Sequence, residues 1–184
     1  MEKLQELSNK PSNLSDIQNT DQLRAELCEL RKACKNIFAI SKNWQPITTN
    51  MQKHVLQFDG GSRGNPGLCG AGAVLFDKDD NQIFTISEKV SERNTNNYAE
   101  YMALFLGLQS ALKSNILDLE VQGDSKLVVM QVTKQWSIKS ENLIPIYNKI
   151  QDLIPQFNDI SFNHILRNKN KVADKLANLA MDNS

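Results

Sequence analysis

Hydrophobic and polar positions change rhythm several times along the 184-residue chain. Residues 1–19 are polar, with Asn, Ser and Pro and no hydrophobic period, a composition that predicts a mostly disordered start. From Asp21 the pattern changes: Leu23, Leu27, Leu30, Cys34 and Ile37 recur at alternating spacings of four and three, with Asn19 or Thr20 as N-cap. That spacing predicts an amphipathic helix over about 21–40. Ser41–Met51, with Pro46 and a run of Thr and Asn, reads as a linker. Three strands follow, His54–Asp59, Gly72–Phe76 and Gln82–Lys89, the last two joined by the polar turn Asp77–Asn81. Asn97–Lys113 carries Met102, Phe105, Leu108 and Leu112 on one helical face. A strand over Leu117–Gly123 and a helix starting near Ser125 come next. Asn142–Gln156 reads as a helix interrupted by its prolines, followed by a strand over Ile160–Ile165 and a helix over Val172–Met181. The order βββαβαβα predicts a mixed sheet with parallel strands at its centre and helices on its faces.

Composition narrows the class. The length, with 40% hydrophobic residues, allows one core and an appendage rather than two full domains. We therefore divide the chain into an extension over 1–50 and a domain over 51–184. Three cysteines, Cys28, Cys34 and Cys69, show no C-x-x-C spacing, which suggests neither a disulfide framework nor a structural zinc site. No apolar run reaches the 18 or so residues of a membrane span, and the charge-mixed start resembles neither a signal nor a transit peptide. The expectation is a soluble intracellular protein, of cytoplasm or nucleus, with no membrane partner. The formal net charge of zero argues weakly against a nucleic-acid partner. Four of the acids beyond Met51 stand in unusual contexts, however, and two divalent cations bound there would leave that region net positive.

In Phe58-Asp59-Gly60-Gly61-Ser62-Arg63-Gly64-Asn65-Pro66-Gly67, an acid closes an apolar run and glycines follow at once. Such a stretch reads as a turn that brings backbone N–H groups to an anion while the carboxylate faces a metal. Glu100 lies in Thr95-Asn96-Asn97-Tyr98-Ala99-Glu100-Tyr101, Asp124 in Gly123-Asp124-Ser125, and Asp174 in Asn170-Lys171-Val172-Ala173-Asp174. Asp59 and Asp124 fall at or near the carboxyl ends of strands that a parallel pairing would set side by side, where open α/β sheets place ligands. Each acid alone is commonplace: a surface Asp after a strand, or an Asp in a helix's first turn.

Together, in this order and with these flanks, the four resemble the catalytic set of type 1 ribonuclease H, in its plant-and-archaeal-like branch, from about Val55 to about Met181. The resemblance implies a ribonuclease H-like α/β fold, with a mixed five-stranded sheet in the order 3-2-1-4-5, helices on both faces and an N-terminal helical extension. It also implies an endonuclease that hydrolyses the RNA strand of RNA–DNA hybrids with two Mg²⁺ ions, Mn²⁺ substituting, leaving 5′-phosphate and 3′-hydroxyl ends. Asp59 would bridge both ions, Asp124 and Glu100 would hold one, and Asp174 the other. His164 and Arg167 stand at spacings where the family has a loop residue that assists reaction or product release. A histidine ending a strand is otherwise often merely packed or solvated.

Selecting RNA paired with DNA requires sensing the 2′-hydroxyl in a wide minor groove. By resemblance, backbone groups of Gly60, Gly61, Ser62 and Arg63, with Asn65, Asn97 and the Glu100 carboxylate, match ribose-reading positions, and Asn96 stands beside them. These Asn and Gly residues also suit turns or a helix cap at Asn96 or Asn97. Trp136 reads either as part of a channel for the DNA strand or as a core or edge-packing residue, and Cys69 as a small loop residue. The stretch from Thr133 to Lys139 is only modestly basic, so it does not resemble the basic protrusion of some bacterial relatives. The helix of about 21–40 offers a face for docking on its own domain, for self-association or for a protein partner. The alternative reading of the whole is a non-catalytic hybrid-binding module on the same fold.

Overall fold

The computed structural model describes residues 26–32 and 53–183. The chain divides between Thr48 and Thr49 into two units. Residues 26–32 are helical, which agrees with the middle of the expected amphipathic helix, and Leu27 and Leu30 are exposed on it. The expected disordered start, the rest of that helix and the linker lie outside the described residues.

The second unit runs β1 (His54–Gly64), β2 (Gly67–Phe76), β3 (Gln82–Asn94), α1 (Asn96–Lys113), β4 (Asp118–Gly123), α2 (Lys126–Val132), α3 (Ile144–Leu153), β5 (Asp159–His164) and α4 (Lys171–Asp182). The five strands form one sheet in the order β3-β2-β1-β4-β5. β1, β2 and β3 are antiparallel, and β1–β4 and β4–β5 are parallel, as the expected mixed sheet requires. The segment Asn142–Gln156 resolves into α3 between two single 3₁₀ turns, Glu141–Leu143 and Ile154–Gln156, with prolines at the start of α3 and of the second turn. No helix among the described residues is long and apolar enough to cross a membrane.

Two sequence expectations are corrected. The first three strands run longer than expected, and β1 passes straight through Gly60 and Gly61. The glycine-rich stretch is therefore not a turn after Asp59: that residue pairs with Gly72 in mid-strand, and the hairpin bend comes at Asn65–Pro66, whose peptide bond is cis. Gly64 there has φ 92°, a conformation that suits glycine. Cys69 belongs to β2, fully buried, and its thiol lies 3.3 Å from the Gly67 carbonyl, so it is no loop residue. In both cases ladder pairing with β2 and β3 overrides local glycine content.

The face of α1 is also rotated from the expected one. Ala99, Glu100, Tyr101, Ala103, Leu104, Gly107, Leu108 and Ala111 are its buried positions, while Met102, Phe105 and Leu112 are half-buried. Small residues let the helix axis approach the sheet: a Cβ on Gly107 would lie 2.9 Å from the Leu56 side chain. Phe105 instead sits under the Lys149 ammonium of α3, 5.9 Å from its ring centre. Leu56, Phe58, Tyr101, Leu104 and Leu108 are fully buried in this layer. Each contributes on the order of 1.5–3 kcal/mol by leaving water.

The opposite face is covered by α4, again through small residues. Ala173, Ala177 and Ala180 lie on Gly70 and Gly72, where an added Cβ would come within 2.3 Å of α4 carbonyl oxygens. Helices on both faces thus lock β1 between them, and β1 carries the first acid.

Candidate active site

The parallel ladder between β1 and β4 ends at Phe58 opposite Gly123, so Asp59 and Asp124 each stand one residue beyond it, level with one another. Glu100 reaches the same place from the second turn of α1. A Cβ on Gly60 would lie 2.1 Å from the Ala99 carbonyl carbon, so only glycine lets the helix sit this close. The Gly60 N–H donates to Glu100 Oε2 at 3.1 Å. One oxygen from each of Asp59, Glu100 and Asp124 lies within 4.8 Å of the others.

Asp59 and Glu100 are nearly buried, at 8% and 6% exposure. Burial first, and then the charges of Asp124 and Asp174, push the Asp59 carboxyl up to about 7. Glu100 is raised well above the usual carboxylate range by burial and then by Asp59 and Asp124, against the opposing Gly60 N–H and Arg167. Protein groups alone leave this negative charge poorly compensated. Asp174 is not part of the close trio: its Oδ1 accepts from Arg167 Nη2 at 2.8 Å, which raises the guanidinium's pKa further. The structure therefore brings three of the four expected acids together and sets the fourth beside them, paired with a cation. Three carboxylate oxygens this closely spaced fit a hard divalent cation, whose preferred ligands are carboxylate and water oxygens.

His164 ends β5, exposed, with Nε2 3.2 Å from the Asp124 carbonyl oxygen. It and Arg167 flank the trio from the β5–α4 connection. Asn170 is a residue whose role there the sequence did not reveal. Fully buried, its Nδ2 donates to Asp124 Oδ1 and to the Phe58 carbonyl, each at 2.8 Å, tying the β4 acid to the β1 backbone. Two acceptors on one side fix the orientation of the amide, and Oδ1 is left without a hydrogen-bond partner. Asn170 occupies the N-cap position of α4, yet its side chain makes no cap bond there.

The expected ribose-reading residues fall into two groups. Ser62 N–H donates to Asn96 Oδ1 at 3.1 Å and Asn96 N–H to Asn65 Oδ1 at 3.2 Å, joining β1, the hairpin and the start of α1. The cap of α1 is Thr95, which accepts from the Tyr98 N–H, so neither Asn96 nor Asn97 is the N-cap. The Arg63 side chain turns away to the Met181 carbonyl and Asp182 at the end of α4, leaving only its backbone near Ser62. Asn97 instead lines a groove of about 540 Å³ with Leu127, Gln131, Gln135, Trp136 and Lys139. Trp136 is 46% exposed, which excludes a core role for it.

Residues 57–180 match the family described as reverse transcriptase-like. The chain is 43% identical over 130 residues to a bifunctional protein of Mycobacterium tuberculosis, covering 71% of this chain and 36% of that one. It thus spans about a third of the length of that relative. Among solved structures, ribonuclease H1 of the halophilic archaeon Halobacterium salinarum superposes with TM-score 0.69 at 37% identity, covering 72% of this chain and 99% of that one. A ribonuclease H1 isolated from compost, LC11, solved with an RNA/DNA hybrid, gives TM-score 0.65 at 34% identity over 71% and 98% of the two chains.

Proposed function

The chain belongs to the ribonuclease H family, and on that premise we propose that it is an endonuclease hydrolysing the RNA strand of RNA–DNA hybrids, with 5′-phosphate and 3′-hydroxyl products. One observation carries the reading: three carboxylates from β1, α1 and β4 meet within 4.8 Å where the parallel strands end. Asp59, Glu100 and Asp124, with Asp174 beside them, would hold two Mg²⁺ ions, Mn²⁺ substituting, which supply Lewis acidity and charge neutralisation in phosphoryl transfer.

The chain's own groups position that chemistry. The Gly60 N–H and Asn170 amide hold Glu100 and Asp124 against mutual repulsion. Backbone groups of Gly60, Gly61, Ser62 and Arg63, with Asn65 and Asn96, form the edge that reads ribose hydroxyls, and Asn97 and Trp136 receive the DNA strand. His164, exposed and next to Asp124, moves protons or aids product release, and Arg167 is the alternative for that auxiliary role. Residues 51–184 form the catalytic domain and 1–50 an extension, whose helix of about 21–40 takes a second copy or a protein partner. The cysteine pattern suits a reducing, intracellular compartment.

The test is cleavage of end-labelled RNA–DNA hybrid, double-stranded RNA and double-stranded DNA, with Mg²⁺ or with EDTA. Cutting confined to the RNA of the hybrid and to Mg²⁺ is expected. Equal cutting of DNA, or full activity in EDTA, overturns it, and tight hybrid binding without turnover would make the chain a binding module.

A further inference from the structure

Gln131 lies in the last turn of α2, 7% exposed, with both ends of its amide engaged. Its Oε1 accepts from the Tyr101 hydroxyl at 2.8 Å and its Nε2 donates to the Ser137 carbonyl at 3.0 Å. Tyr101 is fully buried and follows Glu100 on α1, and burial raises its phenol so that it stays a donor. Ser137 follows Trp136. This one side chain therefore links the helix that carries a candidate catalytic acid to the turn that carries the groove's indole.

That turn needs a link. After α2 the chain closes through Lys134 N–H to the Gln131 carbonyl and Gln135 N–H to the Met130 carbonyl, at 2.9 and 2.8 Å. These are the paired bonds of a Schellman ending, with Lys134 at φ 62° in the position glycine usually takes. Packing does not hold the indole, which is nearly half exposed. Its place comes from the backbone on either side: the Trp136 N–H donates to the Met130 carbonyl at 3.0 Å, and just beyond it the Ser137 carbonyl is held by the Gln131 amide.

We propose that Gln131 is a positioning residue for substrate: it sets the Trp136 turn in register with the carboxylate-bearing helix, so that a hybrid seated on Asn97 and Trp136 meets the acids correctly. The inference rests on the proposed hybrid cleavage. A methionine at this position keeps the length and approximate volume but leaves the Tyr101 hydroxyl and Ser137 carbonyl without their partner.

The test uses the full chain with Trp44→Phe, since the sequence has two tryptophans and Trp136 then reports alone. Gln131→Met should raise KM for hybrid about tenfold with kcat within about twofold, the loss expected from one or two positioning bonds. Without substrate it should increase acrylamide quenching of Trp136 emission. Tyr101→Phe should show the same direction more weakly, and the double variant should be no worse than Gln131→Met, because both act through one amide. Unchanged KM and unchanged quenching in folded Gln131→Met overturn the proposal, as does a loss confined to kcat. If Gln131→Met does not fold, Tyr101→Phe decides: an unaltered KM and emission there overturn it too. If the parent itself fails to cleave hybrid, the functional reading falls, and the quenching measurement alone decides whether Gln131 holds the turn.

Discussion

The carboxylate end of the sheet and the groove at Trp136 sit on the same fold but are held by opposite means. Asp59 and Asp124 extend directly from paired strands, and Glu100 stands on a helix pressed so tightly to β1 that Gly60 cannot carry a side chain. Their positions follow from backbone hydrogen bonding and burial, which are costly to distort. Trp136 stands on an exposed turn with a left-handed Lys134, tied by backbone bonds to the end of α2 and by one buried side-chain amide, that of Gln131. The difference teaches a division of labour: rigid backbone collects mutually repelling charge, whereas the proposed substrate groove is built on an exposed turn.

The largest break in that comparison should come from the charged end. Asp59→Asn is expected to lower single-turnover cleavage by roughly 10³-fold or more, because it removes a carboxylate proposed to hold the metal ions. Hybrid affinity, measured by gel shift, should change little, since the proposed ribose and DNA contacts use other groups. A variant that still cuts at near the parent rate would remove Asp59 from the site.

The same crowding makes a pH prediction. Asp59 titrates near 7 when folded against an ordinary value of 3.8, so in EDTA the native state keeps a proton that the unfolded chain has released. The associated stability is fully present below about pH 4 and is lost as pH rises through about 7. Urea melts should show a decline on the order of 2–4 kcal/mol across that window. Asp59→Asn should flatten the profile, and Mg²⁺ should restore stability to the parent at neutral pH. Parallel profiles for parent and variant would mean that the acids do not repel as their spacing implies.

Beside Asp124, His164→Ala should slow cleavage roughly 10- to 100-fold without abolishing it, as expected of the auxiliary role proposed for it. A rate equal to the parent's would move the role to Arg167. The smallest effect belongs to the turn. Lys134→Gly should raise stability by about 1 kcal/mol by relieving the left-handed residue, while weakening hybrid binding a few-fold through loss of a cation. A lower melting temperature in that variant would show that Lys134 is held by more than its backbone conformation suggests.

Much of this was legible in the chain itself. The order of strands and helices followed from periodicity, and the flanks of Asp59, Glu100, Asp124 and Asp174 marked them as one set, because strand alternation and local motifs are properties of neighbouring residues. What escaped depends on partners distant in sequence. Gly60 and Gly61 look like a turn until β2 pairs with them. The buried face of α1 is chosen by its fit to Leu56 and by the approach of α3, which helical spacing does not contain. Asn170 and Gln131 are ordinary polar residues in the sequence, and only the burial that brings Phe58, Asp124, Tyr101 and Ser137 around them makes their hydrogen bonds decisive. The sequence by itself determined the elements and the chemical identity of the acids. Tertiary structure decided which three acids meet and what holds the groove, because distances between remote side chains are set by packing rather than by local preference.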